Sequence, residues 1–89
     1  MEIEFDTVKD AANREKHGLS LAFGARIFDD PDVLILSTIR KKDEEERHKA
    51  IGMVDGKLYT AVHVWRGDAV RFISVRRSND REERAYHSD

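Results

Sequence analysis

The sequence predicts an α+β fold, in which a small antiparallel β-sheet carries helices packed mainly on one face. Helix-capping residues recur in the first third of the chain, and two short turn signals, at residues 55–56 and 67–68, divide its second half into strands. The expected element order is β-α-α-β-β-β-β-α, with two N-terminal helices and one C-terminal helix. At 89 residues, the chain is expected to form one domain over residues 1–89.

The N-terminal part of the sequence favours a strand followed by a helix. Residues 2–5 alternate charged and apolar side chains, which is typical of a short edge strand. Asp6 or Thr7 can cap a helix through residues 8–17, because a short polar side chain accepts hydrogen bonds from the first unpaired amides. Gly18 suits the left-handed conformation that ends such a helix.

The middle of the chain predicts a second helix and then a strand. Ser20 can cap this helix, and Pro31 stops it because proline lacks an amide donor. Residues 33–39 have the pattern of a buried strand, whereas residues 40–48 contain nothing apolar and are expected to form a solvated loop. The last twelve residues, from Ser78, are expected to form a polar helix.

The two turn signals set the strand register, and the register decides which side chains meet. Asp55-Gly56 is the stronger signal, because a type I′ turn needs positive φ at both central positions. With two-residue loops at both turns, one sheet face is predicted to carry a charged set, which is Glu45, Arg47, Arg66 and Arg71. The opposite face is predicted to carry an aromatic and imidazole set, which is Tyr59, His63, Trp65 and Phe72, with Arg76 beside Tyr59.

Arginine is concentrated where the strand pattern is clearest, although the whole chain has a net charge of −2. A planar guanidinium group can give two parallel hydrogen bonds to a phosphate, so a strand ladder of arginines is one way to hold phosphates. The simpler interpretation is that these side chains pair with surface carboxylates, each pair contributing about 0–1 kcal/mol. Four arginines fall within twelve positions: Arg66, Arg71, Arg76 and Arg77.

The charged face has the parts of a site that cleaves a phosphodiester without a metal. Glu45 could take the proton from a ribose 2′-hydroxyl, and arginines would neutralise the charge that develops on the phosphorane. His17, at a helix end, could protonate the leaving oxygen, or it could simply interact with the helix dipole. The aromatic face could instead stack bases, as in a small RNA-binding domain, or it could be core beneath a helix.

The composition argues against several other classes of protein. The chain has no cysteine, and its four histidines lack metal-ligand spacing, so no metal site is expected. No glycine-rich nucleotide loop occurs, and no cofactor is expected. The N-terminus lacks a signal-peptide pattern, and no apolar run approaches the roughly 18 residues of a transmembrane helix. We therefore expect a cytoplasmic protein with no membrane contact.

Motifs along essentially the whole chain resemble the BrnT family of toxins. They are Phe5-Asp6-x-x-Lys9, Asn13-x-x-Lys16-His17-Gly18, Phe28-x-Asp30, Glu45-x-Arg47, Gly52, Arg66-Gly67, Arg71-x-Ile73-Ser74-x-Arg76-Arg77, Glu82 and Tyr86. The resemblance implies a toxin of a type II toxin–antitoxin pair, with a fold similar to RelE ribonucleases. Such a toxin cleaves RNA without a metal and inhibits translation.

The resemblance also implies partners and site residues. The usual partner is a BrnA-like antitoxin with a ribbon-helix-helix domain, which neutralises the toxin and makes the DNA contacts of the complex. The residues expected to be catalytic are Arg66, Arg76, Glu45, His17 and Arg47, and those expected to bind RNA are Lys16, Arg71 and Arg77. The alternative is a catalytically weak or inactive homologue that binds the antitoxin and acts as a co-repressor.

Overall fold

The computed structural model describes residues 1–38 and 46–88. Its α-helices are α1 (Thr7–His17), α2 (Gly24–Phe28) and α3 (Asp80–His87), and a 3₁₀ turn over Leu21–Phe23 precedes α2. Its strands are β1 (Glu2–Glu4), β2 (Leu34–Thr38), β3 (Arg47–Val54), β4 (Lys57–Arg66) and β5 (Ala69–Arg77). The predicted α+β class is confirmed. No helix within these two ranges is long and apolar enough to cross a membrane.

The five strands form one mixed sheet in the order β1-β5-β4-β3-β2. Strands β2 to β5 pair antiparallel, but β1 runs parallel to β5, with Ile3 beside Val70. The prediction of an antiparallel sheet is therefore wrong at β1. A tight turn reverses the strand that follows it, whereas β1 is followed by a helix, so nothing in its local sequence sets its direction.

The N-terminal helical segments differ from the predicted pair. α1 begins after Asp6, whose Oδ1 accepts a hydrogen bond from the amide of Val8 at 2.8 Å, and ends at Gly18 with φ of 72°. The second predicted helix is a 3₁₀ turn followed by the five-residue α2, which makes three helical segments instead of two. Ser20 closes this tight turn, because its carbonyl and hydroxyl oxygens both accept from the amide of Phe23 at 3.2 Å.

Both predicted two-residue hairpin loops are present. In the first loop Asp55 has φ of 51° and Gly56 has φ of 79°, so both central residues have the positive φ that a type I′ turn requires. The flanking strands pair directly on either side of this loop, and they do the same across residues 67–68. The register at the turn end of each hairpin is therefore as predicted.

A β-bulge then interrupts the pairing of β4 with β5. His63 lies opposite Phe72, but the neighbouring Val62 lies opposite Ser74, so Ile73 is an additional residue on β5. Because side chains alternate between the two faces of a strand, one additional residue exchanges the faces of every β5 residue beyond it. The predicted face assignments are wrong for that part of β5.

The bulge changes the neighbours of the last two arginines of β5. Arg76 lies opposite Thr60 and shares its face of the sheet, whereas Arg77 lies opposite Tyr59 on the other face. The predicted pairing of Arg76 with Tyr59 is therefore wrong by one residue. The guanidinium of Arg77, not that of Arg76, lies over the Tyr59 ring, 5.4 Å from its centroid.

Helical elements cover both sheet faces unequally. The 3₁₀ turn and α2 pack on one face, which we call the helix face. α3 lies on the opposite face, which we call the groove face. A hydrogen bond that Thr60 of β4 donates to Glu82 of α3 shows this placement. The helices are therefore not all on one face. The fully buried core between the helix face and its helices contains Leu21, Ile27, Ala50, Ala61, Val70, Phe72 and Val75.

α1 is fixed against the outer edge of β5, beyond the point where β1 stops pairing. Nδ2 of Asn13 donates to the carbonyl of Val75 at 2.8 Å, and Oδ1 accepts from the amide of Val75 at 3.1 Å. The same Nδ2 donates to the carbonyl of Leu19 at 2.8 Å. This buried side chain satisfies edge groups of β5 as a neighbouring strand would, and it places α1 beside the groove face.

Candidate active site

A concave pocket of about 330 Å³ lies on the groove face of the sheet. Two of its cations come from β3, where Arg47 and Lys49 are two residues apart and so share a face, and the third is Arg76 of β5. Val62, Ile73 and other uncharged residues complete the walls. We call this the sheet pocket, and its described lining is Thr38, Arg47, Lys49, Val62, Ile73, Ser74 and Arg76.

A second pocket of about 190 Å³ lies between α1 and β5. It shares Ile73 and Ser74 with the sheet pocket, so the two are adjacent across the β-bulge. We call it the helix pocket, and its described lining is Lys9, Ala12, Asn13, Lys16, His17, Ile73 and Ser74. Among the described residues, neither lining contains an aspartate or glutamate, although the chain carries net negative charge.

Together the two pockets form a concave surface that we call the basic groove. Its five lysines and arginines, with His17, converge from α1, β3 and β5. Burial lowers the pKa of His17 below its ordinary value, and the positive charges of Lys16 and Arg76 lower it further. Arg76 lines the sheet pocket and His17 lines the helix pocket, so the positive charge of one pocket acts on the other. His17 is therefore predominantly neutral near pH 7, and its imidazole can accept a proton.

The guanidinium of Arg76 is held by a carboxylate of α3. Nη1 donates to Oε1 of Glu82 at 2.7 Å and Nη2 donates to Oε2 at 2.8 Å, which is the bidentate geometry of a strong charge-assisted pair. The hydrogen bonds that Arg76 donates to Glu82 raise the pKa of Arg76. The ammonium of Lys49 lies 3.1 Å from the same Oε2. Arg76 and Lys49, two cations of the sheet pocket, thus contact the same carboxylate, that of Glu82.

Glu82 itself is only 4% exposed and is stabilised in its charged form. Burial would raise its pKa, but hydrogen bonds from Arg76, Asn79 and Lys49 outweigh burial and lower the pKa to about 2. Thr60 also donates to Oε1, at 3.0 Å. The sequence interpretation assigned no site role to Glu82 or Lys49. The available signals were the capping-box spacing Asn79-x-x-Glu82 and the two-residue spacing of Arg47 and Lys49.

The structure places four of the predicted site residues in the two pockets and leaves three others outside their described lining. Arg47 and Arg76 line the sheet pocket, and Lys16 and His17 line the helix pocket. Glu45 lies outside the described residues. The roles assigned to all eight remain predictions.

The other predicted arginines are not part of the described lining of the groove. Arg66 is four residues along β4 from Val62 of the sheet pocket, a separation of about 13 Å in a strand. Arg71 lies 3.9 Å from the carboxylate of Glu4 on β1. Arg77 projects on the helix face, where its Nε donates to the carbonyl of Leu58 at 3.3 Å.

The aromatic set on the helix face is mainly core. Phe72 and His63 are buried, and Phe28 of α2 packs over both, with ring centroids 5.9 Å and 5.0 Å away. Trp65 is 47% exposed and lies edge-on to Phe28. Because Phe72 and His63 are covered, the described residues of this face form no open platform for several stacked bases.

The fold and the groove together define a class, which is a small α+β protein whose concave basic surface suits a polyanion. Comparison with protein families then specifies the family. The family model described as "Ribonuclease toxin, BrnT, of type II toxin-antitoxin system" matches residues 5–82. The chain therefore belongs to the BrnT toxin family, as its sequence motifs predicted. No curated protein matches the chain.

Proposed function

We propose that this chain is an endoribonuclease toxin that binds cellular RNA in the basic groove, cleaves it without a metal ion and thereby inhibits translation. The observation that carries the proposal is the convergence of Arg47, Lys49 and Arg76 in a pocket whose described lining contains no carboxylate. Such a surface attracts a phosphate and repels a divalent cation. Family membership supports the ribonuclease activity and the toxin role.

The sheet pocket is the proposed place of the scissile phosphate. When the 2′-oxygen attacks phosphorus and the 5′-oxygen leaves, negative charge develops on the non-bridging oxygens, and Arg76 and Lys49 stabilise it there. Removal of one preorganised electrostatic contact of this kind typically lowers the rate on the order of 10²- to 10³-fold. Arg47, on the same wall, supplies a third positive charge.

Proton transfer is assigned to groups other than these three cations. His17 is the proposed base for the ribose 2′-hydroxyl, because its lowered pKa leaves the imidazole neutral near pH 7. Glu45 remains the other candidate for acid–base chemistry. Lys16 is the proposed ligand of a neighbouring phosphate in the helix pocket. Arg66 and Arg71, at the far end of β4 and β5, would contact RNA only outside the two described pockets.

The type II toxin–antitoxin family implies an antitoxin partner and an RNA substrate. We propose that the antitoxin is BrnA-like, with a ribbon-helix-helix domain, and that the fold is related to that of RelE. The toxin itself has net charge −2, which is unusual for a protein that binds DNA directly, so DNA contacts are assigned to the antitoxin. We place the toxin in the cytoplasm, where its RNA substrate is translated.

The second candidate function is that of a catalytically weak or inactive homologue that binds the antitoxin as a co-repressor. One observation favours it, which is that both terminal nitrogens of Arg76 already contact Glu82. In that case the arginine would stabilise α3 and would have no part in catalysis.

Growth after induction in a bacterium separates the two functions. We compare the wild type with Arg76→Lys, which keeps a charge beside Glu82 but loses the planar fork. The matched control is Arg26→Lys on α2, an arginine that pairs with the carboxylate of Asp55 at 3.0 Å and packs with the opposite face of the sheet. Arrest and RNA loss with wild type and Arg26→Lys, but not with folded Arg76→Lys, are expected. Absence of arrest by a folded wild type would contradict the ribonuclease-toxin proposal and favour the co-repressor.

A further inference from the structure

The contacts of Glu82 exceed what its position in α3 requires. A capping box needs one carboxylate oxygen at the backbone amide of the capping residue, and Oε1 accepts that bond from Asn79 at 3.0 Å. The same carboxylate also contacts one cation from β3 and another from β5, which are Lys49 and Arg76. Neither cation is needed to begin a helix, and both line the sheet pocket.

We propose that Glu82 is a positioning residue that orients Arg76 and Lys49 toward an RNA phosphate in the sheet pocket. This inference rests on the proposed function and deepens it by adding a residue that acts through the phosphate-binding cations. Without an anion between them, two like charges would repel, and two long side chains would regain rotational freedom. An arginine has five N–H donors, so the bidentate pair leaves others for a substrate.

The location of Glu82 suits this role better than a place in the pocket wall would. It is almost fully buried and is absent from the described lining, so its charge holds the cations from outside that lining. The pocket presents Arg47, Lys49 and Arg76 to the substrate. A carboxylate in the lining would repel phosphate, whereas a buried one outside the lining orders the donors without direct contact with RNA.

The test separates catalysis from binding with two matched variants. Glu82→Gln keeps the shape and one oxygen acceptor but removes the charge, and Glu83→Gln makes the same change one residue along α3. Cleavage of a single-stranded RNA oligonucleotide gives kcat, and the affinity for the same sequence as DNA, which lacks the attacking 2′-hydroxyl, reports binding. We expect Glu82→Gln to lower kcat about 10²-fold, as misplacement of a catalytic contact does. DNA affinity should not weaken, and Glu83→Gln should match the wild type.

Two results would overturn the inference: a folded Glu82→Gln protein with wild-type kcat, or equal losses of kcat and DNA affinity that follow the unfolded fraction. A second measurement is independent of activity. In ¹⁵N-resolved NMR spectra, the Nη protons of Arg76 should be separate in the wild type and averaged in Glu82→Gln. Identical guanidinium signals in both proteins would overturn positioning. Absence of RNA cleavage by the wild type would refute the proposed function, while the NMR comparison would still decide the role of Glu82.

Discussion

The junction between α1 and β5 depends on the side chain of Asn13, and its removal should lower the stability of the fold. Asn13→Ala removes three hydrogen bonds of 2.8–3.1 Å to the backbone of Val75 and Leu19. At about 1 kcal/mol net for each bond, the free energy of unfolding should fall by about 3 kcal/mol. An 89-residue chain has a total stability of about 4–13 kcal/mol, so this is a large fraction of it.

Urea unfolding followed by far-ultraviolet circular dichroism measures this loss. With a slope of about 1.5 kcal/mol per molar urea, the midpoint of the Asn13→Ala variant should fall by about 2 M. The control is Glu15→Ala on the exposed side of α1, which should change stability by less than about 0.5 kcal/mol. A loss below about 1 kcal/mol for Asn13→Ala would refute the view that this side chain replaces a strand at the edge of β5.

Two further predictions concern the core and α3. Burial lowers the pKa of His63, so as the pH falls the unfolded chain takes up a proton near pH 6.5 before the folded protein does. The free energy of unfolding should therefore be highest above pH 6.5 and fall below it, and equal urea midpoints at pH 7.5 and 5.5 would contradict this. Tyr86→Phe removes the 2.6 Å hydrogen bond to Oδ2 of Asp30 and should lower the free energy of unfolding by about 1 kcal/mol in the same urea assay. Unchanged stability would show that this bond does not anchor α3.

Local signals predicted the hairpins because their geometry depends on the turn residues themselves. Asp55 and Gly56 adopt the positive φ values that this dipeptide favours, and the strands beside them pair in the predicted register. The direction of β1 was missed because it is set by a partner more than sixty residues away. A contact of that kind leaves no pattern in three residues.

The candidate site depends on a feature that the alternation of residues could not reveal. An unbroken ladder would place Arg76 on the aromatic face with Tyr59, and the additional residue at Ile73 moves it to the face that carries Arg47. The family motifs selected Arg76 as a candidate but could not supply this geometry. Glu82 was missed as a site residue because its cations lie on strands distant in sequence, and buried carboxylates are rare.

The central claim is that the cations of the sheet pocket cleave RNA without a metal ion. The most direct measurement is incubation of the purified chain with single-stranded RNA in excess chelator, beside Arg76→Lys and Arg26→Lys, followed by analysis of the new RNA ends. The wild type and Arg26→Lys should produce 2′,3′-cyclic phosphate ends, and Arg76→Lys should cleave at a rate on the order of 10²-fold lower. Cleavage that chelator abolishes, or equal rates in all three proteins, would contradict it.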